Sequence, residues 1–212
     1  MVSYLLLVAS NLVPLAGVLY FDWSVSFLLL LYWCETGIMG FYNIFKIAKA
    51  NSEAKISEAS VQMWGKMPSL KGKLIMFFMF HFGVFMFAHL IFILIFVVSR
   101  DEMFSLAIND NQTIRMFFYS LLGLFLSHGY SFKANFIDGG EWKRINPLPQ
   151  MVSIYSRVIL MHLILFVSAA CFILLHISGN KINIAIMVVI KILLDLVAHY
   201  KSHKKLKLQK LA

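Results

Sequence analysis

The chain has 212 residues, of which 60% are hydrophobic and 14% are charged, and its formal net charge is +9. Soluble domains are only about 45–50% apolar, so this composition disfavours a soluble protein and indicates one polytopic membrane domain, an all-α helix bundle. A transmembrane β-barrel is disfavoured, because the apolar runs are continuous rather than alternating. The positive charge lies beside the apolar runs, so we expect it to set membrane topology and predict no nucleic-acid partner.

Six apolar runs are long enough to cross a bilayer as helices. The predicted spans are residues 3–21, 24–47, 72–98, 114–132, 151–176 and 182–200. A charged connector at 48–71 follows the second span, and its apolar spacing predicts a short interfacial helix. A basic tail at 201–212 follows the last span. The first run lacks the basic start and cleavage site of a signal peptide, so it is predicted to be a membrane helix.

Basic residues are unequally divided between the two sides of these spans. The connector with its flanks, the loop after the fourth span and the tail carry fourteen Lys and Arg residues, whereas the segments on the other side carry three. The positive-inside rule therefore predicts that both termini are cytoplasmic. The chain shows no signal for another compartment, so the expected location is a prokaryotic plasma membrane. Nothing in the sequence indicates an oligomeric state.

Polar and ionisable residues occur within five predicted spans, mostly between the midplane and the cytoplasmic face. They are Glu35, Asn43, His81, His89, His128, Tyr155, Arg157, His162, Lys191, Asp195 and His199. The last three are spaced i, i+4, i+8, which places them on one stripe of a helix. Because a charge facing lipid is costly, the sequence predicts that this stripe faces protein or water.

Several of these residues also have a purely structural explanation. His89 and His162 can each hydrogen-bond to a neighbouring helix, Arg157 can extend to the headgroups, and Lys191 can do the same or pair with Asp195. A carboxylate at the depth of Glu35 needs a cation, a metal or a proton, since burial otherwise neutralises it. Glu35, Asp195 and His199 are therefore predicted to have a functional role.

Imidazole and carboxylate groups in this set suit zinc or another divalent metal. The predicted ligands are His81, Asp195 and His199, joined by His162. Glu35 would then act as the general base on a metal-bound water. On this interpretation the protein is a metal-dependent intramembrane hydrolase of a lipid-like substrate, with Asn43, His89, His128, Tyr155, Arg157 and Lys191 as substrate-binding or structural polar groups.

Three alternatives remain open. Chains of carboxylates and histidines are the usual relays of proton- or ion-translocating proteins, although no inverted repeat is evident. Two histidines, His81 or His89 with His162, could ligate haem, but the spans lack the Gly-rich faces that pack against haem. The chain could also be a non-catalytic scaffold whose polar residues are satisfied by one another.

Four local patterns stand out in the predicted spans: Leu31-Tyr32-Trp33-Cys34-Glu35 with Asn43, His81-Phe82-Gly83 with His89, Tyr155 with Arg157 and His162, and Lys191 with Asp195 and His199. Together they resemble an uncharacterised prokaryotic family of multi-pass membrane proteins, which implies no activity. In residue types the chain is also similar to membrane hydrolases of the ceramidase and adiponectin-receptor superfamily, which bind zinc through three His, an Asp and a Ser. Those proteins have seven spans and a late His-x-x-x-His pair, where this chain has Asp195-x-x-x-His199.

Overall fold

The computed structural model describes Tyr20 and residues 24–54, 71–98 and 109–174. All regular structure within these ranges is helical. Several predicted features lie outside the described residues: the spans at 3–21 and 182–200, connector residues 55–70 and the tail at 201–212.

Five α-helices are described. They are α1 (Val25–Lys49), α2 (Lys71–Phe92), α3 (Asn111–Ser131), α4 (Pro147–Ser153) and α5 (Tyr155–Leu174). Helix α2 continues as a π-helix over Ile93–Val97, and α3 continues as a second π-helix over Phe132–Asp138. A 3₁₀ turn at Glu141–Lys143 precedes α4.

Three of the described helices are long and apolar enough to cross a membrane. They comprise Ser26–Lys49, Lys71–Ile95 and Pro147–Phe166, the last of which is made up of α4 and the first part of α5. They correspond to the predicted spans at 24–47, 72–98 and 151–176. The fourth predicted span, 114–132, forms helix α3 but is not among the three, and α3 carries Arg115, His128 and three serines. The described part of the chain is therefore helical and contains three helical stretches that could span a membrane.

The helix that contains the fifth predicted span begins at Pro147, four residues earlier than its predicted start. Asn146 has an extended backbone, and its side-chain oxygen accepts a hydrogen bond from the Leu148 N–H. Proline suits the first helical position, since its missing N–H would have no partner there. The Asn146 cap and Pro147 together determine where this helix begins. The prediction from hydrophobicity alone put the start too late, at residue 151.

The chain divides into two compact units. The first comprises Met1–Leu29, Phe92–Met116 and Leu160–Ala212, and the second comprises Leu30–Ile91 and Phe117–Ile159. Within the second unit, α2 contributes Leu74, Phe78, Phe82 and Met86 to the core. These residues recur every fourth position, so they lie on one side of the helix. The core is completed by Ile47, Leu148, Met151, Ile154 and Val158.

The outer side of α2 is apolar as well. Met76, Phe80 and Phe87 are each more than 60% exposed. A helix that is hydrophobic on all sides is typical of a large protein core or a membrane span. Because these side chains are not covered by the chain itself, α2 is suited to contact with lipid.

Helices α1 and α2 approach closely at a glycine. A methyl group added to Gly40 would overlap the ring of Phe82, and small residues allow helices to pack at such short range. Nearby, the Trp33 indole N–H donates a hydrogen bond of 2.8 Å to the Met86 carbonyl oxygen. This pair of helices is therefore held by close packing and by one directional bond.

Two asparagines fasten the end of α1 to the loop before α4. The Asn51 backbone N–H donates to the carbonyl oxygens of Trp142 and Ile145 at 2.9 and 3.0 Å. In the opposite direction, Asn146 Nδ2 donates to the Ser52 carbonyl oxygen at 3.0 Å. These reciprocal bonds fix the position of the loop, and through Asn146 they fix the start of α4.

Candidate functional site

The structure places most of the predicted site residues in the second unit. These are Glu35, Asn43, His81, His89, His128, Tyr155 and Arg157, whereas His162 belongs to the first unit. Lys191, Asp195 and His199 lie outside the described residues. The arrangement can therefore be followed for the groups on α1, α2, α3 and α5, but not for the Asp-x-x-x-His stripe.

Glu35 on α1 and His128 on α3 form an acid–base pair. Glu35 Oε1 lies 3.8 Å from His128 Nε2, and their side chains are only 14% and 25% exposed. The two groups form an ion pair when His128 is protonated. Burial of this degree strengthens the attraction between opposite charges compared with a fully exposed pair. The sequence identified both residues as polar groups of the interior but did not predict that they would pair.

Aromatic packing one to two turns along α1 brings these residues together. The Tyr42 hydroxyl donates to the Phe125 carbonyl oxygen at 3.1 Å, and the two rings lie 5.4 Å apart. Gly129, next to His128, lies close to Tyr42: an added methyl group would come within 2.6 Å of the Tyr42 hydroxyl oxygen, so the Tyr42 side chain would have to shift. A tyrosine on α1 and a glycine on α3 therefore allow the approach that places His128 opposite Glu35.

His81 on α2 and Tyr155 on α5 form a second polar pair. His81 Nδ1 and the Tyr155 hydroxyl oxygen are 2.7 Å apart, and either group can be the donor, depending on the tautomer. The imidazole stacks on Phe77 at 5.1 Å and meets the edge of Phe85 at 5.0 Å. The hydrogen bond and the two aromatic contacts together fix the orientation of the His81 ring. If Nδ1 carries the proton, Nε2 has the lone pair that a metal ligand requires.

Asn43 and Gln150 form a buried pair that connects α1 to α4. Gln150 Nε2 donates to Asn43 Oδ1 at 2.7 Å, and the residues are 5% and 3% exposed, respectively. Asn43 Nδ2 is buried and has no hydrogen-bond partner among the residues that the structure describes. Asn43 was predicted as a site residue and Gln150 was not. The signal for Gln150 is its place in the first turn of an apolar helix, four residues after the Asn146 cap.

The other predicted groups have different surroundings. His89 is 3% exposed and lies on the same buried side of α2 as Met86. Arg157 is half-buried near the start of α5. In the first unit, His162 is half-buried, and its ring lies 6.4 Å from that of Phe166. These positions agree with structural roles for His89 and His162 as well as with functional ones.

Within the ranges that the structure describes, no three His, Cys, Asp or Glu side chains are grouped so that they could hold a metal ion. Of the four predicted ligands, His81 and His162 lie in different units, and Asp195 and His199 are outside the described part. Zinc binding therefore remains a prediction.

Comparison with known proteins identifies a family but no individual relative. The search of curated proteins and the search of solved structures found no match. The model of a family of unknown function, DUF6498, matches residues 1–211. A match over nearly the whole length agrees with the resemblance to an uncharacterised family. The chain belongs to the family of unknown function DUF6498.

Proposed function

We propose that this chain is a multi-pass protein of the plasma membrane, with six spans and both termini in the cytoplasm, and that it moves protons or cations through its interior. The three long apolar helices and the apolar outer side of α2 support the membrane location. The excess of basic residues on alternate loops supports the orientation.

The observation that carries the transport proposal is the Glu35–His128 pair. Helix α1 begins at Val25 and ends at Lys49, so Glu35 is about 15 Å from one end and about 21 Å from the other at 1.5 Å per residue. It therefore lies near the middle of a candidate span, where an ionisable group indicates an ion or proton path. Glutamate and histidine can each accept and release a proton. Oε1 and Nε2 are 3.8 Å apart, so a small movement of either side chain would bring them to hydrogen-bond distance and let a proton pass between α1 and α3.

The His81–Tyr155 pair gives the same unit a second place at which a proton can be held. Imidazole and phenol are both donor and acceptor, and at 2.7 Å they share a hydrogen bond. Each pair links two helices, so a proton that moves within a pair also crosses from one helix to the next.

The test is proton flux into liposomes that contain the purified chain, driven by a potassium diffusion potential. The luminal pH of liposomes that contain the wild type is expected to change faster than that of empty liposomes, in the direction set by the sign of the potential. Glu35→Gln and His128→Gln are expected to reduce flux to the level of empty liposomes. Glu53→Gln is the matched control, because Glu53 is an exposed carboxylate beyond the end of α1. Equal proton flux in Glu35→Gln and wild type would refute proton transport through the Glu35–His128 pair.

A metal-dependent hydrolase of a lipid-like substrate is the second candidate, and the fixed imidazole of His81 favours it. A metal-binding histidine commonly uses its other ring nitrogen in a hydrogen bond that fixes its orientation, as His81 Nδ1 does with Tyr155. In this proposal His81, His162, Asp195 and His199 hold zinc, and Glu35 is the general base. Elemental analysis of wild type beside His81→Ala and Asp195→Ala tests it: stoichiometric zinc that both variants lose is the expected result, and metal-free, well-folded wild type would refute it.

A further inference from the structure

Three lysines at one end of the second unit are placed over aromatic rings. Lys49 Nζ lies 4.8 Å and Lys143 Nζ 5.5 Å from the centroid of the Trp142 ring. Lys46 Nζ lies 5.4 Å from the centroid of the buried Phe136 ring. Ammonium groups within about 6 Å of a ring are attracted to its face. The rings thus hold together cations that would otherwise repel one another.

Hydrogen bonds fix the segments that carry these lysines. Asn51 donates through its backbone N–H to the Trp142 carbonyl oxygen, and through Nδ2 to that of Lys143 at 3.2 Å. The start of α2 is brought to the same place by Lys71, whose Nζ donates to the Ala48 carbonyl oxygen at 3.1 Å. Three separate segments of the chain therefore meet at this end.

Basic residues outnumber acidic ones here. Among the described residues, this end carries seven basic groups, which we call the basic edge: Lys46, Lys49, Lys71, Lys73, Lys133, Lys143 and Arg144. The acidic residues of the same segments are Glu53, Asp138 and Glu141, and Glu141 interacts electrostatically with Lys46. Five members of the basic edge, Lys49, Lys73, Lys133, Lys143 and Arg144, are exposed, so their charge is available to a ligand.

The basic edge coincides with the ends of all three candidate spans. One span ends at Lys49, one begins at Lys71, and the third begins at Pro147, three residues after Arg144. In a bilayer this level is that of the lipid headgroups, where Trp side chains are enriched. Lysines beside the cytoplasmic leaflet are attracted to anionic lipids.

We propose that the basic edge binds the phosphate of anionic phospholipids, with Lys49 and Lys143 as its principal contacts and Trp142 as the platform that orients them. The proposal rests on the membrane location proposed above but not on proton transport. It differs from a general topological charge bias, because it assigns binding to two lysines that share one indole ring.

The test is the melting temperature of the full chain in neutral detergent micelles, with phosphatidylglycerol, phosphatidylcholine or inorganic phosphate added at equal concentration. Phosphatidylglycerol is expected to raise the melting temperature, and the other two additives are not. Lys49→Gln/Lys143→Gln should lose most of this increase, whereas Lys49→Arg/Lys143→Arg should retain it. Arg115→Gln is the control, because Arg115 is an exposed cation near the other end of α3.

Three results would overturn the proposal. The first is that phosphatidylcholine raises the melting temperature as much as phosphatidylglycerol does. The second is that inorganic phosphate does so, which would indicate a free anion as the ligand. The third is that phosphatidylglycerol raises the melting temperature of the double Gln variant as much as that of the wild type. If that variant does not fold, Lys49→Gln alone is the second test, with partial loss expected and no loss as the contrary result. Stable incorporation into phosphatidylcholine nanodiscs without any anionic preference would remove this inference but leave the membrane location intact.

Discussion

Gly40 on α1 lies directly against the ring of Phe82 on α2, so that a methyl group on Gly40 would come within 2.6 Å of Phe82 Cζ. Phe82 is 8% exposed and stacks on Phe78 at 5.0 Å, so its ring has little freedom to move away. We expect Gly40→Ala to destabilise the chain by about 1–3 kcal/mol, which is typical of overpacking in a core. Chemical unfolding in detergent measures this change.

Gly83→Ala is the matched control, because a methyl group there would have no atom within 4 Å. Alanine is the better helix former by about 1 kcal/mol, so this variant should be as stable as wild type or slightly more stable. If the two variants lost the same stability, the close α1–α2 contact would not be the cause.

We predict that substitutions of Asn43 and Gln150, which form a buried amide pair, have non-additive effects on the free energy of unfolding. Each single change, Asn43→Leu or Gln150→Leu, removes one partner of a 2.7 Å hydrogen bond and leaves the other amide buried. Each is expected to cost about 1–3 kcal/mol, whereas replacement of both partners by apolar groups should cost much less than the sum. A double-mutant cycle of unfolding free energies measures the coupling, and strictly additive losses would contradict it.

The helices could be predicted from the sequence where hydrophobicity alone defines them. Leu74, Phe78, Phe82 and Met86 recur at the helical period within a long apolar run, and α2 follows that run closely. The start at Pro147 depends on a cap and on a fixed proline φ angle, to which hydropathy is insensitive. The π-helical continuation of α3 to Asp138 likewise has no hydrophobic signal in the sequence.

The members of the site could be predicted, but their pairing could not. Glu35, His81 and His128 are unusual in apolar runs, and this fact alone marks them. The approach of Glu35 to His128 depends on how α3 packs against α1, and Tyr42 of α1 contacts Phe125 and Gly129 of α3 at this packing interface. The depth of each polar residue in its span does not reveal contacts between residues so distant in sequence.

The carboxylate of Asp110 makes the start of α3 sensitive to acid. It accepts hydrogen bonds from the Thr113 hydroxyl at 2.6 Å, the Thr113 N–H at 2.9 Å and the Gln112 N–H at 3.2 Å. These bonds, that from the Thr113 hydroxyl first, lower the pKa of Asp110 from its ordinary value of 3.8. A lowered pKa means that the cap contributes fully above the unfolded pKa and is lost as pH falls through the folded one. Amide exchange at Gln112 and Thr113, followed by NMR during acidification, should show this loss.

Asp110→Asn separates the charge from the cap. Asparagine is an equally good N-cap, and its one side-chain oxygen can still accept from the Thr113 N–H, but its amide nitrogen cannot accept the bond that the second carboxylate oxygen takes from the Gln112 N–H. Because this side chain does not titrate in the acid range, the variant should protect the Thr113 amide at neutral pH and show no acid-dependent loss of that protection. Identical pH profiles for wild type and variant would assign the acid sensitivity to another group.

The hydroxyl of Tyr155 should determine which nitrogen of His81 carries the proton. Tyr155→Phe removes the 2.7 Å bond to Nδ1 while the contacts of the imidazole with Phe77 and Phe85 remain. The expected cost is about 0.5–1.5 kcal/mol, the usual net value of one hydrogen bond, with a change in tautomer populations visible in ¹⁵N spectra of labelled histidine. Tyr119→Phe is the control, because Tyr119 is 69% exposed on α3 and should change neither quantity. If the ¹⁵N signals of His81 were the same in Tyr155→Phe as in wild type, the aromatic contacts alone would orient the ring. The interpretation of His81 as a metal ligand would then lose its structural support.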